Sequence, residues 1–493
     1  MAALLPLALA LAFLLSTAAY LASNKSQRNI LLSRLGLQGR GRDTSASTPP
    51  RSLSPAKKGS NSDQPDYSDT YPPSRRFTLA EVKDAAKRFK KPLDQLAQSP
   101  EKKTFQALDE NILTTTRNVY TATEFSSDEI KALGDFPDYA SLSGVPLPKA
   151  YPEFDINRAK PKPYRPFRWA YHQTMCKAFT KLDPDWWLEL ESTYATRIKQ
   201  RQEIYQRVGK RVLDCMPGCE LACKELMEMC LQFLVARYPH YFRLDAEEMV
   251  FHNGILNTTS DLKREPPLEV IMNNVPEDFA ITLRDDKTGY YYLRGGVVCS
   301  SLGWDLGTKM GMRLDEIHQP IPDYKEKMRF SMDRYFAKKP TDKAIQRGSW
   351  GLEVDQPLYM PAGDPHEKYR ELQDPSLDLS RMNLRVDWQT LRRLPLSGAI
   401  IFNFKALFTP VAAFRDEPYV PSLVLKLCRE GKKSLMEYKN TWHTEHVVLP
   451  AMEAFRKEQE EKGLIPKGWE EHTIDEYPLF PGWQEKWHRD QGF

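Results

Sequence analysis

The stretch D-C-M-P-G-C-E-L-A-C-K-E-L-M-E-M-C, Asp214 to Cys230, puts four of the chain's seven cysteines within sixteen residues. Thiols this close raise metal binding first. Structural zinc sites usually take C-x2-C pairs from two loops, however, and disulfide frameworks belong to short secreted chains. The spacing here, C-x3-C-x3-C-x6-C, meets neither pattern. From Glu220 to Leu234 the run is rich in helix formers, with Pro217 and Gly218 as a break before it. Such a helix lines up Cys219, Cys223, Leu226 and Cys230 as one apolar stripe. Free cysteine behaves as a small hydrophobe, so core packing is the expected role.

The second candidate is His318, within G-W-D-L-G-T-K-M-G-M-R-L-D-E-I-H-Q-P-I-P-D-Y. Pro320 and Pro322 restrict the backbone beside it, and a fixed imidazole is what an axial metal ligand requires. A lone histidine beside a proline turn more often packs or caps, so the residues alone leave both roles open. Lys309 and Arg313 lie four apart on one expected helix just before it. His443 and His446, in W-H-T-E-H, are three apart on an expected helix; with no third ligand in view they read as polar-face residues. No G-x-G-x-x-G follows a strand, and there is no P-loop and no four-cysteine iron–sulfur pattern.

These residues need a body to position them. The chain has 493 residues, 41% hydrophobic and 11% aromatic, enough for one large domain or two smaller ones. Its net charge of +4 comes from interleaved acids and bases, which gives no footprint for nucleic acid. An odd number of scattered cysteines favours a reducing compartment. Ala2 to Ala22 carries no charge for 21 residues, enough to span roughly 30 Å of hydrocarbon. Lys25, Arg28, Arg34, Arg40 and Arg42 all follow it, so the positive-inside rule places the body in the cytosol. A cleaved signal peptide is the rival reading.

The expected organisation is a transmembrane anchor over 1–23, a disordered Ser/Pro-rich linker over 24–76, an extended wrapping segment over 77–164 with short helical runs such as Leu79 to Phe89, a main body over 165–460 and a tail over 461–493. In the body, 185–238 reads as mostly helical. The run F-A-I-T-L-R-D-D-K-T-G-Y-Y-Y-L-R-G-G-V-V-C-S reads as a hairpin about D-D-K-T-G. Short helices follow over 304–338, strands over 349–354, 384–388 and 399–408, and helix over 422–457. Strands, a helical insertion and more strands argue for an α+β fold with an antiparallel sheet and flanking helices.

Five stretches carry a resemblance that spans roughly 183–450: D-P-D-W-W-L-E-L-E-S-T-Y, V-P-E-D-F-A-I, V-V-C-S-S-L-G-W-D-L-G-T-K-M-G-M-R-L-D-E-I-H-Q-P-I-P-D-Y, R-G-S-W-G-L and L-R-V-D-W-Q-T-L-R-R-L-P-L-S-G-A-I-I-F-N-F. In this order they resemble the haem-dependent oxidative N-demethylase alpha-subunit-like family, here as a fungal-type membrane-anchored member. The resemblance implies a PAS-like haem domain over 165–460, binding haem b with His318 as axial ligand. It brings Lys309 and Arg313 forward as cationic partners of the haem propionates, and Arg385 and Gln389 as catalytic residues of a distal or substrate site. Arg347, Trp350 and Arg393 match its motifs as well. Trp388 stands where the family would carry a polar residue, which bears on the substrate if that position faces the pocket.

The function implied is a haem-dependent demethylase-like monooxygenase acting on a small amine. Without a nicotinamide motif, it takes its electrons from a separate reductase. It is expected as a single-pass protein, with the endoplasmic reticulum the expected membrane. A haem or small-ligand sensor without turnover is the alternative, because fold does not settle function. A lumenal glycosyltransferase is a third reading, with D-P-D at Asp183 to Asp185 as a metal–nucleotide site and Asn257 as a glycan acceptor.

Overall fold

Runs of β-branched and aromatic residues pair edge to edge only where turns return the chain, and this chain returns it twice over. In the computed structural model, residues 65–76, 121–174 and 179–492 are described. The expected anchor, residues 24–64 of the expected linker and the helical run over 79–89 lie outside them. Among the described residues, no helix is long and apolar enough to cross a membrane.

Ten strands lie among the described residues: β1 Thr180–Lys181, β2 Leu213–Cys215, β3 Phe242–Asp245, β4 Val250–Asn253, β5 Thr258–Asp261, β6 Asp278–Arg284, β7 Tyr291–Val297, β8 Ile345–Val354, β9 Met382–Arg393 and β10 Ile400–Pro410. Seven form one sheet in the order β1-β8-β9-β10-β6-β7-β2, and β3-β4-β5 form a second. Every pairing is antiparallel. The expected α+β class with an antiparallel sheet therefore holds.

The β6–β7 hairpin closes as the D-D-K-T-G signal implies. The Asp285 carboxylate accepts from the Thr288 backbone N–H at 3.0 Å and from its hydroxyl at 2.8 Å. Gly289 follows with a φ of +72°, and a β-carbon there would come within 2.0 Å of the Tyr67 carbonyl oxygen. Only glycine lets residues 65–76 cross at this point. Tyr67 is buried and packs edge-on against Tyr290 at 5.4 Å.

Directly opposed residues share a face of a sheet. On one face, Trp388, Val386, Leu352 and Leu407 pack with the helices Val420–Glu430 and Trp442–Glu461, while Phe279, Ile281 and Ile401 pack with Glu220–Arg237 and Pro267–Asn274. The other face carries Leu293, Leu391, Phe402 and Phe404, and the insertion between β7 and β8 covers it.

The helix Glu220–Arg237 departs from the single apolar stripe expected of it. Cys219, Cys223, Leu226 and Cys230 are buried, but so are Lys224, Glu225 and Glu228. Each charge has found partners, as burial demands. Lys224 lies 2.5 Å from Glu228 and 3.1 Å from Asp135. Glu228 also accepts from Tyr139 Oη at 2.5 Å, and Glu225 accepts the backbone N–H groups of Leu396 and Ser397. The face that periodicity assigns to water is covered by the segment around 135–139 and the turn at 394–397.

Candidate functional site

The insertion is built from short pieces because its sequence interrupts every helix it starts. Asp305 caps Leu306–Lys309 by accepting the Thr308 N–H at 2.9 Å, and its other oxygen holds Arg211 at 2.7 Å. Gly311, with a φ of +80°, then reverses the chain and donates its N–H to the Leu293 carbonyl at 2.8 Å. A second helix, Leu314–Ile317, ends at His318.

Lys309 and Arg313 therefore do not share one helix: Lys309 ends the first piece, Arg313 caps the second, and the left-handed turn at Gly311 separates them. Lys309 Nζ donates to the Ile317 carbonyl at 3.0 Å and sits 5.0 Å from the Trp304 ring. Arg313 is engaged by Asp315 and lies 4.8 Å over Tyr290.

His318 Nδ1 is 2.6 Å from the Leu314 carbonyl oxygen. A carbonyl only accepts, so Nδ1 carries the proton and Nε2 keeps its lone pair. Among the described residues, Nε2 takes no hydrogen bond. The ring stacks on Tyr324 at 4.9 Å with 8° between planes. Burial pushes its pKa down to about 4, and Lys309 and Arg347 add to that against the Leu314 hydrogen bond. The imidazole is neutral at neutral pH, the form that binds metal.

His172 shows the contrast. Its Nδ1 meets the Arg168 carbonyl four residues back at 2.7 Å, but its Nε2 accepts from Trp350 Nε1 at 2.9 Å. That is a satisfied core histidine.

Beneath the insertion, Arg347, Gln389 and Phe404 stand opposite one another across β8, β9 and β10 and so share a face. Phe402 and Phe404 on that face pack with Ile317 and Trp304. Arg347 lies 5.6 Å over the Tyr171 ring, and its buried Nε has no hydrogen-bond partner. Among the described residues, the Gln389 amide forms no hydrogen bond either.

Arg385, two places along the same face from Asp387, is tied down. It donates to the carbonyls of Ser300, Pro357 and Leu358 and to Asp387. Trp388 points through the other face, stacked on Tyr164 at 3.8 Å. Trp388 therefore bears on the core and leaves the Gln389 face untouched.

An open cleft of about 540 Å³ runs along 315–329, within the size range of small-molecule sites. Tyr324 lines it and separates it from the His318 ring. His443 is buried, with Nδ1 at 2.8 Å from the Asn440 carbonyl, and not on a polar face as expected; the loop that brings Asp374 to His446 covers that side of the helix. Asp183 caps the turn Pro184–Trp186 and Asp185 accepts the Lys149 N–H, so both carboxylates of D-P-D serve local structure.

A haem asks for a nitrogen donor with a free lone pair, apolar walls and cations for its propionates. His318 Nε2 supplies the first, Ile317, Trp304, Phe402 and Phe404 the second, and Lys309 and Arg347 the third. The residues fit that group. Residues 178–449 match the family model described as haem-dependent oxidative N-demethylase, alpha subunit-like. The chain belongs to this family. The match covers β1 to β10 and includes His318, Arg347 and Gln389.

What the sequence did not single out is Tyr324, which fixes the His318 ring, and the gathering of Cys215, Cys219 and Cys223. Tyr324 lies six residues after His318, beyond the proline turn, and no helical or strand period joins the two.

Proposed function

We propose that this chain is a haem-dependent oxidative demethylase-like monooxygenase, with His318 as the axial ligand of haem b. The observation that carries it is the neutral imidazole with its free Nε2, beside a sheet face that presents Arg347 and Gln389. The central five strands, β6 to β10, run in spatial order 2-1-5-4-3 with the helical insertion between the second and third. That arrangement supports the PAS-like reading.

Bound haem supplies the activation of dioxygen. The substrate, a small N-methyl amine, takes one oxygen atom into a methyl C–H bond; two electrons and two protons carry the other to water. The resulting carbinolamine loses formaldehyde and leaves the demethylated amine. No motif for a nicotinamide occurs, so the electrons come from a separate reductase. Around this chemistry the chain's own groups bind and orient. His318 is held by Leu314 and Tyr324, Lys309 and Arg347 meet the propionates, and Gln389 offers both a donor and an acceptor to substrate or ligand. Arg313, paired with Asp315, adds a cation at the rim. Arg385 positions β9 against the 300 and 357–358 backbone. Tethering through residues 1–23, with the body in the cytosol at the endoplasmic reticulum, completes the reading.

The test is turnover. Haemin-reconstituted protein with a chemical or enzymatic electron donor, dioxygen and a panel of methylated amines should release formaldehyde. Haem binding without any turnover favours the sensor reading, and absence of Soret absorbance rejects the enzyme and a haem sensor alike.

A further inference from the structure

The cysteines of D-C-M-P-G-C-E-L-A-C do more than pack. Cys215 ends β2 at the edge of the sheet, and the turn through Met216 brings the chain back so that Cys219 and Cys223 open the helix Glu220–Arg237. Cys223 Sγ lies 3.5 Å from Cys215 Sγ and 4.0 Å from Cys219 Sγ. The three sulfurs all lie within 4.8 Å of one another. Tetrahedral zinc with Zn–S bonds of about 2.3 Å sets its sulfurs about 3.8 Å apart, and the separations of Cys223 from Cys215 and Cys219 fall on either side of that value.

The surroundings leave room for that cluster. Gly295 stands directly opposite Cys215 in the β2–β7 register. A β-carbon at Gly295 would lie 3.1 Å from Cys219 Sγ, tighter than ordinary contact. Cys219 takes the helix N-cap position without a side-chain capping bond, so its sulfur sits at the positive end of an 18-residue helix. Cys219 and Cys223 are buried and Cys215 is half-buried, which leaves one side of the cluster toward the surface. Cys230, two turns further on, lies outside it. The other described cysteines, Cys299 and Cys428, have no part in it.

We infer that Cys215, Cys219 and Cys223 form a three-thiolate site for one thiophilic d10 metal ion of the zinc or copper(I) class, with a fourth position open on the Cys215 side. Thiolate ligands select these ions over hard ones. Binding releases the thiol protons and ties the β2 edge to the helix that follows. The inference stands apart from the haem reading, since none of these residues takes part in the His318 site.

The experiment uses the full chain, reduced, stripped of metal and free of haem, titrated with cadmium as a spectroscopic stand-in and then with zinc. A thiolate-to-metal charge-transfer band should rise and saturate at one equivalent, and zinc should displace it. Cys215→Ser, at the half-buried position, should weaken cadmium binding about a hundredfold or more, while Cys299→Ser and Cys428→Ser should leave it unchanged. Absence of a saturable one-to-one band in the wild-type chain overturns the inference whatever the variants do. An unchanged titration in folded Cys215→Ser overturns it too.

Discussion

The Leu314 carbonyl and His318 Nδ1 stand 2.6 Å apart across one helical turn, and this contact fixes both the tautomer and the direction of the imidazole. His172 makes the same contact with Arg168, but its second nitrogen is spent on Trp350. His443 shares both the Nδ1–carbonyl contact and an Nε2 without a partner, so what sets His318 apart is a free Nε2 together with Ile317, Trp304, Phe402 and Phe404 packed beside it.

The same contact sets a pH dependence. An ordinary imidazole, with a pKa near 6.5, begins to lose metal to protons as pH falls past that value. Burial has pushed His318 down to about 4. Haem retention should therefore stay flat from neutral pH to about pH 5 and fall only below it. A Soret titration that already declines at about pH 6.5 would contradict this.

Gln389→Leu and Arg385→Met separate function from structure. Gln389 has no protein hydrogen bond to lose, so its replacement should shift stability by only about 0.5 kcal/mol while slowing formaldehyde release about tenfold or more. Arg385→Met strands the carbonyls of Ser300, Pro357 and Leu358, and should cost about 3 kcal/mol or more. Thermal unfolding and single-turnover assays on both variants read the two effects.

Trp388→Ala removes a ring stacked on Tyr164 in the core beside the C-terminal helices. About 3 to 5 kcal/mol of stability should go with it. The Soret maximum of the protein that remains folded should not move, because the residue faces away from His318.

Lys224→Met leaves Glu228 buried beside Glu225 with its cation gone. Loss of one partner of a buried pair costs about 3 to 5 kcal/mol. Glu228 already has a raised pKa, from burial, with Lys224 the first group opposing it. The variant should therefore lose most stability above the carboxyl's new, higher pKa and recover part of it on acidification, where Glu228 is protonated. Denaturant unfolding at about pH 5 and pH 8 measures the difference.

Where turn residues bound a run of β-formers, the sheet is legible. The hairpin of β6 and β7, with β8, β9 and β10 after it, follows from D-D-K-T-G and the intervening helical pieces. The strands β3 to β5 are not legible, because F-R-L-D, V-F-H-N and T-T-S-D carry too few apolar residues for a period of two to stand out. Periodicity also fails at Lys309 and Arg313, where Gly311 breaks the helix that their spacing implies. It fails again at the cysteines. Cys219 and Cys223 follow the helical period, but Cys215 reaches them through a turn, and convergence across a turn leaves no periodic trace. His318 is legible as a position, but its free nitrogen is not, since that depends on which carbonyl the ring meets.

The most direct measurement is the absorption spectrum of His318→Ala beside that of Cys219→Ala, each expressed with added haemin and checked for folding by circular dichroism. The account predicts that His318→Ala folds but has lost or altered its Soret band. Cys219→Ala, compared with wild type in metal-free protein, should give up about 1 kcal/mol of packing and keep the wild-type band. A wild-type Soret band in folded His318→Ala would contradict the ligand assignment.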